Sequence, residues 1–283
     1  MNNLRSGLNQ QNKATTEVNN LVNRATILDE IIAAKRKEVA LNKQFQPVQE
    51  LEQKPYFERN TISLKAAIKQ NSGIITEFKR RSPSKGTINN TATVASVVAG
   101  YDVNGASGIS ILTDTTYFGG SNSDLLEGRI VSSKPILRKD FIIDEYQLIE
   151  AKAIGADVIL LIAANLSVKE VRQFATLAKS LGLEVLLELH AAEELEHICD
   201  EVDLIGINNR NLKNFEVNLE HATRLAESLP ANKPRIAESG INDIESIIYL
   251  KQQGFDGFLI GEHFMKEPEP AIAFANFVKK LPW

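Results

Sequence analysis

The sequence predicts an α/β fold, a (β/α)8 TIM barrel with an N-terminal helical extension. Three observations carry this: eight short apolar runs, helical patterning in the intervals between them, and polar residues gathered at the C-terminal ends of the runs. The runs are 73–78, 108–112, 135–138, 157–162, 184–188, 204–208, 235–238 and 257–260. Parallel strands buried on both faces read as such continuous apolar stretches. Each interval holds a loop, a helix and the next strand. Helix signals are explicit in 144–153, which ends at Gly155, and in 167–180, which ends at Gly182. Gly-Ala-Asp at 155–157 and Gly-Phe-Asp at 254–256 each lead into a strand. The competing architecture is a doubly wound open sheet. No Gly-x-Gly-x-x-Gly follows the first strand, and the number of units favours closure.

A chain of 283 residues with 43% hydrophobic and 24% charged residues can bury a core without a metal or disulfide staple. Its net charge of −4, with both signs interspersed, provides no basic stripe for nucleic acid. Cys199 is the only cysteine, which excludes an internal disulfide framework and suits a reducing compartment; the pattern around it predicts a buried, inert thiol. Residues 1–26 are rich in Asn and Gln and lack the apolar stretch of a signal peptide or membrane span, so the chain is expected to be cytoplasmic, with this stretch as a polar tail. Ile27, Leu28, Ile31, Ile32, Val39 and Leu41 then recur at mainly helical spacing with Asp29, Glu30, Lys35 and Lys37 between them. This amphipathic pattern defines a helical extension over 27–60 that needs a surface to cover, and 61–283 forms the barrel.

Polar residues at the strand ends need a reason in a sheet that should be apolar. Glu77 and Lys79 end the first strand on one face, by strand alternation, and both can point into the barrel mouth. Lys139 and Asp140 follow the third strand, Glu188 ends the fifth, and Asn208 and Arg210 end the sixth. Glu238, Ser239 and Gly240 follow the seventh, and Gly261 and Glu262 the eighth. Arg138 and Arg80 lie out of phase and should face the helix layer or solvent; Asp140 reads as structural. Barrels commonly bind phosphate with the loops after strands seven and eight and the start of a short helix, where Ser239, Gly240 and Gly261 stand. The Glu262 carboxylate would repel a phosphate, so that site should use its backbone. His190 shares the parity of Glu188 but, just past a strand, reads as a loop residue; His197, His221 and His263 read as structural. No His, Cys or carboxylate set has metal-ligand spacing. On these residues alone a Schiff-base aldolase, another phosphate-binding barrel and a catalytically silent binding barrel remain open. The silent barrel leaves the costly lysine and glutamate set without purpose.

The run Glu77-Phe78-Lys79-Arg80-Arg81-Ser82-Pro83-Ser84-Lys85-Gly86 resembles the Glu-x-Lys-x-x-Ser-Pro-Ser signature of indole-3-glycerol-phosphate synthases of tryptophan biosynthesis. Further stretches fit in order: 109–114 with 117–121, Leu137-Arg138-Lys139-Asp140-Phe141, Leu187-Glu188-Leu189-His190, 206–212 and Ala237-Glu238-Ser239-Gly240-Ile241. The resemblance runs from about Ile27 to the C-terminus and includes the helical extension, which in the family lies against the barrel mouth. Two departures stand out. Arg138 occupies a variable position, and Gly261-Glu262-His263 stands where many relatives have Gly-Ser. Residues 1–26 have no counterpart. The neighbouring pathway isomerase, which shares barrel and phosphate site, offers no reason for the Glu-x-Lys run.

The resemblance implies conversion of 1-(2-carboxyphenylamino)-1-deoxyribulose 5-phosphate to indole-3-glycerol phosphate with loss of carbon dioxide and water, with no cofactor and no metal. Lys139 is then the general acid at the ribulose carbonyl, tuned toward neutral pKa by apolar walls. Glu188 is the base. Lys79 holds the substrate carboxylate and serves as the acid for dehydration, and Glu77 orients Lys79. Asn208 and Glu238 hydrogen-bond the substrate, and Arg210 keeps the charges in register. Phe118 and Phe141, with Leu112 and Leu137, form the slot for the aromatic ring. Ser82, Ser239, Gly240, Gly261 and Glu262 are the phosphate candidates, and Pro83 also binds the substrate. The expected partner is a small phosphorylated substrate, with other tryptophan-pathway enzymes as candidate protein partners and neither nucleic acid nor membrane.

Overall fold

The computed structural model describes residues 26–210 and 216–283; the tail assigned to 1–26 lies outside them except for Thr26. Eight parallel strands close into a barrel in simple chain order: β1 (Ile74–Phe78), β2 (Gly108–Leu112), β3 (Ile136–Lys139), β4 (Val158–Ile162), β5 (Glu184–Leu189), β6 (Leu204–Asn208), β7 (Arg235–Glu238) and β8 (Gly257–Ile260). Closure is parallel, with Ile75 opposite Leu259. The expected strands are all present, with ends shifted by no more than one residue. The shift at β3 matters, because it brings Lys139 into the ladder opposite Leu112.

Two apolar shells hold the barrel. Inside, Ile75, Leu137, Val158, Leu186, Leu204 and Ile236 fill the lumen, plugged from below by Leu64 and Ile68 of the helix Leu64–Gln70. Outside, the opposite faces of the same strands pack against the surrounding helices in a larger cluster that includes Ile109, Leu161, Val185 and Phe258. This two-sided burial is why the strands read as unbroken apolar runs. One unit departs from the repeat: after β5 the chain makes a 3-10 turn, Ala192–His197, in place of an α-helix. After β1, Arg81–Ser82 and Gly86–Thr87 pair as a short antiparallel hairpin that periodicity did not reveal.

The N-terminal helix Ile27–Phe45 starts at a capping box, in which Thr26 accepts from the Asp29 amide and Asp29 accepts from the Thr26 amide. Val39 and Leu51 pack on Tyr146 and Ala153, and the Tyr146 hydroxyl donates to the carbonyls of Asn42 and Gln46. Two assignments along this helix are corrected. Leu41, read as part of the apolar stripe, is 52% exposed, whereas Lys35, read as an interleaved polar residue, is 1% exposed. Farther on, Arg59 reaches Asp157 at 2.6 Å and the Ile62 amide donates to the same carboxylate, which also receives Arg129. The extension thus runs from the barrel mouth to its base. Among the described residues no helix is long and apolar enough to cross a membrane.

Candidate active site

A cavity of about 430 Å³ opens at the C-terminal ends of the strands. The barrel supplies its floor and walls, and Ile27, Leu28 and Ile31 of the N-terminal helix supply an apolar side. The expected residues Glu77, Lys79, Ser82, Pro83, Leu112, Phe118, Lys139, Phe141, Glu188, Asn208, Arg210, Glu238, Ser239, Gly240, Gly261 and Glu262 all line it. Leu137 does not. It shares inward parity with Lys139 but lies one layer deeper, buried in the lumen. Leu160 and Ile162 of β4 take the wall position instead.

The Lys139 ammonium lies 2.8 Å from Glu188 and 3.0 Å from Glu238. Burial opposes its charge, but the carboxylates of Glu188, Glu238 and Glu77 outweigh burial and hold its pKa above the ordinary lysine value. This overturns the expectation of a lysine tuned toward neutrality, because the walls around it are anionic rather than apolar. One ammonium between two buried carboxyls cannot satisfy both equally. Burial pushes both upward, but Glu188 also has His190 at 3.1 Å and a hydrogen bond from Asn208, and it is held well below the usual carboxylate range. For Glu238 burial prevails over Lys139, the Glu188 charge adds to it, and the pKa is pushed up to about 8. The Glu238 Oε1 atom has no hydrogen-bond partner among the described residues. The arrangement therefore sets one cation between a carboxyl whose pKa is held low and a carboxyl whose pKa is held high.

On β1, the Lys79 ammonium pairs with Glu77 at 2.8 Å, as strand alternation requires. Glu77 also accepts from Ser110 across the ladder. Two glycines make room for the carboxylates. A Cβ at Gly261 would lie 2.6 Å from Glu77 Oε1, and a Cβ at Gly206 would strike the Glu238 carboxylate. Gly261 therefore serves the β1 pair as well as the last loop. Asn208 accepts from the Arg210 amide, and the Arg210 guanidinium faces Glu262 at 3.8 Å.

The apolar side of the cavity is built by Phe118 and Phe141, whose ring centroids are 6.0 Å apart and tilted by 41°. Phe118 sits in the short helix Thr115–Phe118, capped by Asp114, which accepts from the amides of Tyr117 and Phe118. Phe141 follows Asp140, which accepts from the Phe141 amide. At the other end of the cavity, Ser239 adopts a left-handed backbone with φ 68°, followed by Gly240 at φ 77°. A non-glycine residue in that region is strained and persists only when its surroundings hold it. Asn209 does so, its side-chain amide donating to the carbonyls of Glu238 and Ser239. Gly261 opens the short helix Glu262–Met265. Lys85, which the sequence reading quoted without assigning to the site, lines the cavity with its ammonium 3.5 Å from Glu262. The Glu262 carboxylate is thus flanked by two cations.

The surrounding polar residues resolve as follows. Arg138 is fully buried toward the helix layer, donating to Glu150, Asp140 and the Gln147 carbonyl. Arg80 turns outward to Asp124. His190, read as a loop residue, is the neighbour of Glu188 described above. The His197 ring nitrogens face two backbone carbonyls, Glu194 within its own turn and Leu166, and His263 stacks edge-on to Phe264 and Phe277. The His221 side chain lies outside the described residues. Cys199 is half-buried rather than buried, and burial raises its thiol pKa. Among the described residues no group of His, Cys, Asp and Glu is arranged to hold a metal ion.

Comparison with known proteins bears on the fold and the family. The solved tryptophan synthase complex from Pyrococcus furiosus is similar in fold, with a TM-score of 0.56 over 75% of this chain and 97% of that one at 17% identity. The indole-3-glycerol phosphate synthase of Bacteroides thetaiotaomicron is 50% identical over 256 residues, covering 90% of this chain and 98% of its own. That of Bordetella pertussis is 40% identical over 258 residues, covering 89% and 98%. A family model described as indole-3-glycerol phosphate synthase matches residues 28–277. The chain belongs to the indole-3-glycerol phosphate synthase family.

Proposed function

We propose that the protein closes the indole ring, converting 1-(2-carboxyphenylamino)-1-deoxyribulose 5-phosphate to indole-3-glycerol phosphate with release of carbon dioxide and water. It is a carboxy-lyase acting on a phosphorylated small molecule. The observation that carries the residue assignment is the Lys139 ammonium set 2.8 Å from Glu188 and 3.0 Å from Glu238 on the cavity floor. As the ring carbon bearing the carboxylate attacks the ribulose carbonyl, its oxygen gains negative charge. Lys139 donates a proton to that oxygen, which is then basic enough to take it from an ammonium of raised pKa. Loss of carbon dioxide returns an electron pair to the ring. Lys79, held by Glu77, pairs with the substrate carboxylate and later protonates the departing hydroxyl. Glu188 removes the last proton as the indole becomes aromatic. Asn208 and Glu238 hydrogen-bond the sugar chain, and Arg210 keeps Glu262 in place.

The aromatic ring enters between Phe118 and Phe141, with Leu112 beside it. The phosphate reaches Ser82, Ser239, Gly240 and the backbone at Gly261. A Schiff-base reaction would need a neutral amine as nucleophile, and the Glu188 carboxylate 2.8 Å away works against that state at Lys139. A cytoplasmic setting, in which a lone cysteine stays reduced, goes with this reading. The test is fluorescence-monitored turnover of the carboxyphenylamino-deoxyribulose phosphate by the wild type and by Lys139→Ala, without added metal or cofactor. Indole product from the wild type, with a loss of about 10³-fold in the variant, supports the reaction and the acid. A folded wild type without turnover sinks both.

A further inference from the structure

The N-terminal helix carries a buried lysine into the barrel mouth. The Lys35 ammonium lies 2.9 Å from Asp140, 3.1 Å from Asp114 and 3.0 Å from Glu38. The side chain is buried to 1% exposure on a helix that could have kept it in water. Burying a lysine is costly unless its partners serve a purpose beyond stability, since an apolar residue of the same volume often packs as well.

The remaining contacts of its two barrel partners show what that purpose is. Asp114 spends Oδ1 on the amides of Tyr117 and Phe118 and gives Oδ2 to Lys35. Asp140 gives Oδ1 to both Lys35 and the amide of Phe141, and Oδ2 to the Thr113 hydroxyl and to Arg138. One ammonium therefore ties together the two carboxylates that hold the backbones of Phe118 and Phe141. Those residues come from different loops, after β2 and after β3, and their rings face each other across 6.0 Å.

We infer that Lys35 is a positioning residue that sets the separation of the Phe118 and Phe141 walls and so governs recognition of the aryl half of the substrate. The inference rests on the proposed function, because it takes the Phe118–Phe141 slot as the seat of the aromatic ring. It assigns to the extension a recognition task at one end of the cavity and none at the phosphate end, where Ser239, Gly240 and Gly261 belong to other strands.

Two probes divide the site accordingly: 2-aminobenzoate for the aryl half and inorganic phosphate for the other. Inhibition constants for both are measured against turnover in the wild type, in Lys35→Met, which keeps the stem and removes the charge, and in Asp114→Asn. The Asn variant keeps an oxygen for the Phe118 amide while loosening the hold on Lys35, so it carries the test where Lys35→Met does not fold. The expected result is a loss of about tenfold in 2-aminobenzoate affinity with phosphate affinity unchanged, since loosened walls lose packing only where the ring sits. Equal weakening of both probes marks a general loss of structure and overturns the inference, as does retention of both affinities. A wild type that produces no indole overturns the proposed function and this inference with it. A productive wild type beside variants with an unchanged ratio of the two constants overturns this inference alone.

Discussion

Lys139 Nζ stands 2.8 Å from Glu188 Oε2, so the acid and the base proposed for ring formation begin as a buried ion pair. Lys139→Ala leaves Glu188 and Glu238 facing each other without the ammonium between them. The expected loss of turnover is about 10³-fold, within the range for removing a general acid. Stability should depend on pH in a new way. Two buried carboxyls deprived of that ammonium should have their folded pKa values shifted upward, and groups with folded pKa values above the unfolded ones favour the fold at low pH and lose that contribution as pH rises through the folded pKa. The variant should melt close to the wild type near pH 5 and well below it at pH 8. Equal melting deficits at both pH values would show that the ammonium is not what compensates these carboxylates.

The wild type carries a related signature through Glu238. Its folded pKa of about 8 lies above the ordinary value of 4.5, so the folded state binds the extra proton. Stability from this group is full below about pH 4.5 and declines as pH rises to about 8. Glu238→Gln keeps the shape and removes the titration, and its denaturant midpoint should fall less between pH 5 and pH 8 than that of the wild type. Parallel curves would place the proton elsewhere.

Much of this site was legible before the structure, and the parts that were not share a cause. Strand alternation placed Glu77 beside Lys79, and two-sided burial made the strands visible as apolar runs. Alternation says which face a residue takes but not how deep it lies, and so Leu137 was assigned to a wall that it underlies. The pKa of Lys139 depends on partners contributed by β5 and β7, which no local pattern announces. Lys35 is the exception that could have been found. Ile31, Lys35 and Val39 recur at four-residue spacing, which puts the lysine in the buried stripe of its helix.

Gly261→Ala tests whether the last loop also shapes the first strand's pair. The new Cβ would lie 2.6 Å from Glu77 Oε1 and 2.9 Å from Glu77 Cβ, so Glu77 must move and Lys79 with it. Misplacement of a reacting group by about 1 Å can cost on the order of 10²-fold. Turnover should fall at least tenfold by that reasoning, while the melting temperature changes little because the loop is at the mouth. Unchanged kcat/KM would show that Glu77 has room to yield without disturbing Lys79.

Arg138 has a different task. Its guanidinium is buried against Glu150 at 2.6 Å and Asp140 at 3.2 Å. Arg138→Met removes the cation and leaves Glu150 without it, a defect that typically costs about 3–5 kcal/mol. Arg138→Lys should recover only part, because an ammonium cannot reproduce the fork that also reaches the Gln147 carbonyl. Denaturant unfolding of both variants checks the order wild type, Lys, Met, and a lysine variant as stable as the wild type would refute it.

The Glu262 carboxylate faces Lys85 at 3.5 Å and Arg210 at 3.8 Å. Both pairs are partly exposed, so each is weak, on the order of 0–1 kcal/mol. A substrate phosphate entering beside Ser239 and Gly240 must either tolerate that carboxylate or draw the two cations away from it. Glu262→Ser removes the competitor and leaves Lys85 and Arg210 to the phosphate. KM for the phosphorylated substrate should fall about two- to fivefold at low salt, a range set by the modest energy of exposed ion pairs. The gain should shrink in high salt, where screening weakens every exposed pair. kcat should hold steady, because the proposed chemistry takes place at the Lys139 end of the cavity. A rise in KM would instead mean that Glu262 holds Lys85 and Arg210 in the positions from which they receive the phosphate.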